Sequence, residues 1–449
     1  PPPPPTSDGS SPDTSPGART HGPPSPSPAV CGSVLLCGIP IKSHRAPVHY
    51  RSAHSPLGHG EFTGGTGEGG GSLAAVQILE GEDGLSIIAP SLKLGQAESV
   101  LLSYACSSSR DALTSIDISN NPFGPVGISM LAEAICSVTN LVSLRAARTN
   151  AGANGATAIA GALIGCGDSL RFLDVSGNHV RSDGASALAS AIRHLTCLES
   201  LNGVALPPND ATTWVLQGKI HEPEYEAAFV ARGLAAVRSL TSLDLRWDKL
   251  ALCGARAIVP GLQATGRLLS LDLSCNLLTP ESLALLAPPL VAATAMTSLS
   301  IAGNKLGPAG ISLLLPLVRG LSRLSALNLA VTNIGSKGGS ALFPLLHAFS
   351  PRAVKINVSG NGLGPAGATA ISRALRSAPF LQELVVGGNQ IGTEGATALA
   401  SALGAKGGRF DTGAGAGAEC KDPGVVAARV RAVLDALAGD VTPVLEWDG

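Results

Sequence analysis

Apolar residues recur at a fixed spacing along most of the chain, from Leu113 to residue 403. In the clearest copies an apolar residue fills the first, fourth and sixth positions and an asparagine fills the ninth. These copies read LTSIDISNN, LRFLDVSGN, LLSLDLSCN, MTSLSIAGN and LQELVVGGN. Alternating apolar and polar residues are typical of a β-strand that buries one face, and asparagine favours a turn. Each copy is therefore predicted to begin with a short strand that ends in a turn.

The ninth position, which we call the Asn slot, sets the length of the repeat. Asparagine fills it at Asn121, Asn178, Asn276, Asn304, Asn361 and Asn389, and Thr149, Thr332 and Asp248 fill it in three further copies. Successive slots are 28 or 29 residues apart, except for one gap between residues 178 and 248. We predict that this gap holds a degraded copy (198–206) and an insertion (207–239), which gives ten copies in all.

The second half of each copy carries apolar residues at helical spacing. In the first copy these residues are Ile128, Leu131, Ala132 and Ile135, which lie on one face of a helix. One strand and one helix cannot bury their apolar faces alone, so neighbouring copies must stack. Strands stack about 4.8 Å apart and helices about 10 Å apart, so the stack bends with its strands on the inner, concave side.

The motif and the 28-residue period resemble the leucine-rich repeats of the ribonuclease-inhibitor type. The resemblance covers residues 113–403 and implies an α/β fold, a horseshoe-shaped solenoid with a concave parallel sheet and convex helices. The family includes ribonuclease inhibitors, the sensor regions of NOD-like receptors and Ran GTPase-activating proteins. This range of members shows that the fold alone does not fix the function.

Four prolines are spaced 28 residues apart in consecutive copies. Pro260, Pro288, Pro316 and Pro344 each follow the Asn slot by twelve residues, a position at which other copies carry polar or small residues. This pattern places them on the solvent side of the helices. Because proline removes a helical hydrogen bond, the four helices are predicted to be kinked or shortened.

The segments outside the array have a different composition. Residues 1–72 are rich in Pro, Ser and Gly and are predicted to be disordered. Residues 73–112 are predicted to form an N-terminal cap or a degenerate repeat. Residues 404–449 are predicted to form a Gly/Ala linker and a capping helix that begins near Asp422. The insertion at 207–239 contains Trp214, Tyr225 and Phe229 and is interpreted either as a binding loop or as a segment that packs on its neighbours.

Composition and charge narrow the choice of partners. Charged residues make up 14% of the chain and the formal net charge is −1, so neither nucleic acid nor a membrane is predicted as a partner. The nine cysteines are dispersed, and those at apolar positions, such as Cys136, Cys166 and Cys197, are predicted to be reduced and buried. This favours the cytoplasm, with a cleaved organellar leader left open.

Polar residues between the buried strand positions are predicted to face the concave side. Most are small, so Arg246 and Trp247 stand out as an anchor pair for a partner. Six other copies place a smaller residue at the position of Trp247: Asn120, Gly177, Cys275, Gly303, Gly360 and Gly388. Alternatively, Trp247 packs against Trp214 or Tyr225 of the insertion. The candidate partner-binding residues are Arg246, Trp247, Asp244, Asp272, Arg145, Phe172 and Asp174.

These observations predict a non-enzymatic scaffold that binds a protein partner on its concave face. Since nucleotide-binding, protease and hydrolase motifs are lacking, we predict no catalytic, cofactor or metal site. One alternative is a GTPase activator resembling the Ran family, although the acidic tail common in that family is not found here. Another is a structural subunit of a large ciliary or organellar assembly.

Overall fold

Strands and helices alternate along the described part of the chain. The computed structural model describes residues 76–404, except for 82–83, 167–168, 350–353 and 378–380, together with the backbone of two strands nearer the N-terminus. The strands are β1 (Val34–Leu36), β2 (Ile39–Arg45), β3 (Gln77–Gly81), β4 (Gly84–Ile88), β5 (Leu113–Asp117), β6 (Ser143–Arg145), β7 (Phe172–Asp174), β8 (Ser200–Leu201), β9 (Val204–Ala205), β10 (Thr213–Val215), β11 (Ser242–Asp244), β12 (Ser270–Asp272), β13 (Ser298–Ser300), β14 (Ala326–Asn328), β15 (Val354–Asn357) and β16 (Leu381–Val385).

The helices contain 12 to 14 residues each, and each packs on the next one along the chain. They are α1 (Gln96–Ser108), α2 (Gly124–Ile135), α3 (Gly152–Gly165), α4 (Arg181–His194), α5 (Pro223–Ala236), α6 (Ala251–Ala264), α7 (Pro280–Ala292), α8 (Gly307–Gly320), α9 (Gly335–His347), α10 (Gly364–Ser377) and α11 (Gly392–Gly404). From β10 to β16 every strand pairs in parallel with its neighbour. The predicted α/β repeat solenoid is confirmed, and we call the strand face that points away from the helices the concave face.

The Asn slots connect one repeat to the next through buried hydrogen bonds. Asn304 shows the pattern: its Oδ1 accepts from the backbone N–H groups of Asn276 (3.0 Å) and Leu278 (2.9 Å) in the preceding repeat. Its Nδ2 donates to the carbonyl oxygens of Leu273 (2.9 Å) and Ile301 (2.7 Å). One buried amide thus satisfies backbone groups that the turns would otherwise leave unpaired.

The concave layer is interrupted between β8 and β10. Strands β1–β9 form one sheet and β10–β16 form a second, although α4, α5 and α6 remain in contact. Strand β8 turns back into β9 as an antiparallel hairpin through Asn202 and Gly203, both at positive φ (50° and 81°). Asn-Gly is among the sequences that such a two-residue turn prefers. We call residues 198–250, which contain this interruption, the seam.

The predicted insertion at 207–239 is largely a repeat. Strand β10 pairs in parallel with β11, aligning Trp214 with Leu243, and α5 takes the place of the repeat helix between α4 and α6. Tyr225 and Phe229 lie in the core. The interpretation as a binding loop is therefore wrong for α5. The additional element is instead the hairpin at 200–205, which has two short strands but no helix of its own.

The proline-containing helices are not shortened. Helices α6 and α8 contain 14 residues and α7 and α9 contain 13, within the range of 12 to 14 residues found for the other helices. Pro260, Pro288 and Pro316 are exposed, as predicted, whereas Pro344 is half-buried. The carbonyl that loses its helical donor at such a position can bind water instead, which explains why full-length helices tolerate these residues.

The flanking regions differ in part from expectation. Residues 73–112 contain a degenerate repeat: β4 pairs in parallel with β5, and Asn121 Oδ1 accepts from Leu92 N and Leu94 N at 3.0 Å. Within the leader, β1 and β2 are strands, at an apolar stretch that the average composition of residues 1–72 conceals. The remainder of the leader and the predicted C-terminal linker and capping helix lie outside the described residues.

The cysteines of the described region are unpaired thiols. Cys106 and Cys166 are buried, whereas Cys136 and Cys197 are exposed. The prediction of buried thiols is thus confirmed at Cys166 and wrong at Cys136 and Cys197, which lie at or beyond helix ends, where the apolar face no longer points to the core.

Candidate functional site

An arginine and two aspartates form a charge cluster on the concave face of the second sheet. Asp244 and Asp272 occupy matching positions on β11 and β12. Arg246 donates to Asp244 through Nη2 (2.9 Å to Oδ2) and Nε (3.1 Å to each carboxylate oxygen). Its Nε also lies 3.7 Å from Asp272 Oδ2. Three of the seven predicted site residues are therefore in contact, and two carboxylates around one guanidinium leave the cluster net negative.

The cluster is partly withdrawn from solvent, which fixes its geometry. The side chains of Arg246, Asp244 and Asp272 are 27%, 15% and 29% exposed. Burial raises the pKa of Asp272, an effect that the hydrogen bond from Ser274 N (2.8 Å) partly offsets. A forked guanidinium–carboxylate contact of this kind holds the arginine in one orientation. Arg246 is thereby positioned at the edge of β11, directly before Trp247.

Trp247 projects into solvent at the turn after β11. It is 52% exposed, whereas Trp214 and Tyr225 are buried in the core. The structure therefore does not support the alternative that Trp247 fills the interior of the seam. Its φ of +65° lies in the left-handed region, as do the φ values of Gly177, Gly303 and Gly360 at the same repeat position.

Two exposed apolar side chains near this turn were not among the predicted site residues. Val215 pairs with Asp244 in the sheet register and is 49% exposed. Leu277 follows the next Asn slot and is 51% exposed. Val215 lies between Trp214 and Leu216, and this apolar-x-apolar spacing could have placed it on the concave face had the segment been recognised as a repeat.

The remaining predicted residues lie on the first sheet. Arg145 and Asp174 are paired in the register of β6 and β7, and Asp117 is on the other side of Arg145. Arg145 is exposed, while Phe172 and Asp174 are half-buried. The structure thus divides the predicted site into two groups, one on each side of the interrupted sheet.

A buried polar network supports the concave surface at the seam. Asn202 Nδ2, in the hairpin turn, donates to Tyr225 Oη (2.9 Å) and Glu226 Oε1 (2.5 Å). Glu226 Oε2 accepts from the backbone N–H groups of His221 (2.6 Å) and Glu222 (2.9 Å). Burial raises the pKa of Glu226, although these hydrogen bonds act against the rise. The network ties the hairpin to the first turn of α5.

The parallel strands, the alternating helices and the Asn slots together define a solenoid of leucine-rich repeats. A family model described as "Leucine Rich repeat" matches residues 113–132, 169–189, 293–315, 354–372 and 377–400. The chain is thus a leucine-rich repeat protein, and its assignment to the ribonuclease-inhibitor type stays a prediction. No curated protein sequence matches the chain.

The chain is similar to two solved structures. One is the leucine-rich repeat-containing protein LegL7 from Legionella pneumophila, with 18% identity, 69% of this chain and 95% of that chain covered, and a TM-score of 0.31. The other is an internalin, InlF, from Listeria monocytogenes, with 14% identity, 71% and 77% coverage, and a TM-score of 0.26.

The helices of the described region are short. None of them combines the length and the apolar character that crossing a bilayer demands. Within the same residues, no group of three or more His, Cys, Asp or Glu side chains is arranged to hold a metal ion.

Proposed function

We propose that this leucine-rich repeat protein binds a protein partner through the concave face of its second sheet, with Trp247 at the centre of the contact. Leucine-rich repeat domains generally mediate protein–protein interactions. Trp247 supports this location because its large indole is half exposed instead of being packed in the core.

The exposed side chain of Trp247, and not its backbone conformation, argues for a role outside folding. A left-handed conformation costs a residue with a Cβ atom about 1–2 kcal/mol, and only Gly, Asn and Asp adopt it routinely. Other repeats use Asn120 (φ 58°) or Gly303 (φ 66°) there, but Arg148 (φ 52°), Cys275 (φ 57°) and Val331 (φ 54°) also adopt this backbone at the same position. Since ordinary side chains share this backbone, the feature that sets Trp247 apart is its large indole, which is half exposed rather than packed in the core.

The surroundings of Trp247 match the composition of an interface core. A few residues contribute most of the binding free energy in protein interfaces, and these are enriched in tryptophan, tyrosine and arginine. Arg246 is held by Asp244 beside the indole, and Val215 and Leu277 supply exposed apolar surface on the neighbouring strands and turns. A partner with an apolar patch bordered by donor or cationic groups would complement both the indole and the net negative cluster.

Replacement of Trp247 by asparagine tests the proposal. Asparagine fits the left-handed backbone, so the variant removes the indole and leaves the turn relaxed. Proteins retained from an extract by the wild-type chain and lost by Trp247→Asn would be purified, and their affinity measured by titration calorimetry. We expect the variant to lose about 2 kcal/mol, roughly 30-fold in Kd.

The matched control is Ile164→Ala on α3. Ile164 is 61% exposed but lies on a helix, away from the concave face. The control should bind as tightly as the wild type. Equal binding by wild type and Trp247→Asn, or an equal loss in the Ile164→Ala control, would refute a binding site centred on Trp247.

A further inference from the structure

Asp248 is the acidic exception among the Asn slots. Its side chain is completely buried, at 0% exposure, as are Asn276 and Thr332 in equivalent slots. Asparagine and threonine each bring a hydrogen-bond donor to this position, whereas an ionised aspartate has none. The chemistry of the slot is therefore incompatible with a carboxylate unless it carries a proton.

The hydrogen bonds around Asp248 show which oxygen is affected. Oδ1 accepts from Ile220 N at 3.0 Å, in the manner of asparagine Oδ1 in other slots. The other oxygen then takes the place of asparagine Nδ2. In Asn121 and Asn389 this atom donates to backbone carbonyl oxygens at 2.6–3.4 Å. Oδ2 of Asp248 is buried and has no hydrogen-bond partner among the described residues.

The charges near Asp248 favour its neutral form. Burial raises the pKa of Asp248 to about 7; the backbone N–H groups of Ile220 and Lys219 oppose the rise, and the carboxylates of Asp244 on β11 and Glu226 on α5 add to it. On the side of the next repeat, Asp248 N donates to the neutral Asn276 side chain at 3.1 Å. Arg246, two residues before Asp248 in the chain, donates to Asp244 instead.

We propose that Asp248 acts as a proton-dependent latch of the seam: in its neutral form it donates the hydrogen bond that asparagine donates in other slots, and its ionisation loosens the turn that carries Arg246 and Trp247. That turn is held in a demanding conformation, since Trp247, Lys249 and Ala251 all have positive φ. Asp248, which lies between Trp247 and Lys249, holds this turn through its hydrogen bonds. A partner bound at Trp247 would inherit this pH dependence, a consequence that rests on the proposed function.

The direction of the effect follows from proton linkage. An aspartate in the unfolded chain has a pKa of about 3.9, so between roughly pH 4 and 7 the folded protein binds the proton and the unfolded chain does not. The stabilisation from this proton is complete below about pH 4 and is lost as the pH rises towards 7. Within that window the unfolding equilibrium constant should increase by up to about tenfold per pH unit.

Two reciprocal substitutions test the latch by urea unfolding between pH 5 and 8. Asp248→Asn supplies a permanent donor, so it should be more stable than the wild type at pH 8 and lose the pH-dependent difference. Asn276→Asp places the same acid in the next slot and should add a second loss of stability with rising pH. Other buried carboxyl groups contribute equally to each protein, so the difference between the curves isolates the slot.

Hydrogen exchange locates the effect. With intrinsic exchange rates corrected for pH, the protection of residues 216–222 in the wild type should fall between pH 5.5 and 7.5 and stay constant in Asp248→Asn. An Asp248→Asn protein that keeps the wild-type pH profile, or is less stable than the wild type at pH 8, would overturn the proposal. An Asn276→Asp protein without added pH dependence would contradict the inference from slot geometry.

Discussion

The seam differs from the regular repeats that follow it, residues 276–349, in the hydrogen bonding of its buried polar groups. In the regular repeats, the amides of Asn276 and Asn304 satisfy backbone groups on both sides of each turn. Within the described residues, the buried side-chain atoms without a hydrogen-bond partner all belong to the seam: Glu224 Oε2, Arg232 Nε and Nη2, and Asp248 Oδ2. The repeats thus share one fold but differ in how completely their buried polar atoms are hydrogen-bonded.

The seam is stabilised by large side chains instead. Tyr225 and Phe229 on α5 are among the largest fully buried side chains, and the ring of the buried Trp214 lies close to Gly233 of the same helix. Arg232 lies over the Phe229 ring, 5.5 Å from its centre, and donates to the carbonyl of Leu195. Unpaired polar groups tend to persist where function requires them, so this contrast favours the seam as the functional part of the array.

The largest expected effect is that of Phe229→Ala, which would test whether aromatic packing holds the seam. Removal of a fully buried phenylalanine costs about 3–5 kcal/mol. Chemical denaturation should show this loss. Phe343→Ala on α9, where the ring is 36% exposed and stacks on His347, should cost far less. Similar losses in both variants would mean that the seam has no special dependence on its aromatic core.

A smaller effect is expected for Asn304→Ala in the regular region. The change leaves the N–H groups of Asn276 and Leu278 without their acceptor, at a cost of roughly 1–3 kcal/mol. Asn140→Ala provides the control, since Asn140 is exposed and its single hydrogen bond goes to the carbonyl of Asp111. If Asn140→Ala destabilises the protein as much as Asn304→Ala, the slots are not what joins the repeats.

The sequence predicts the regular repeats well because the short-range spacing of apolar and polar residues determines their structure. Leu271 and Leu273 on either side of Asp272 dictate a strand with one buried face, and Asn276 three residues later can only be satisfied by adjacent repeats. The position of Arg246 near Asp244 and Asp272 follows from the same register. These features need no information beyond the spacing of apolar and polar residues.

The structure of the seam could not be predicted because several positions of the repeat template carry atypical residues there. Trp214 stands where other repeats have leucine, so the strand β10 is concealed within an apparent insertion. Asn202 and Gly203 signal a hairpin, but the repeat template assigns Gly203 to an apolar position. Asp248 Oδ2 is buried because segments from neighbouring repeats pack around it. No local sequence pattern reveals that packing.

The smallest effect is expected for the stability of Trp247→Asn. Loss of the half-buried indole removes roughly 1 kcal/mol of apolar burial, and relief of the left-handed backbone returns a similar amount. The free energy of unfolding should therefore stay within about 1 kcal/mol of the wild type, in contrast to Phe229→Ala. A loss of about 3 kcal/mol or more would identify Trp247 as a core residue of the seam. An unchanged stability together with weakened binding would separate the two roles, because only an interface residue affects the partner and leaves the fold intact.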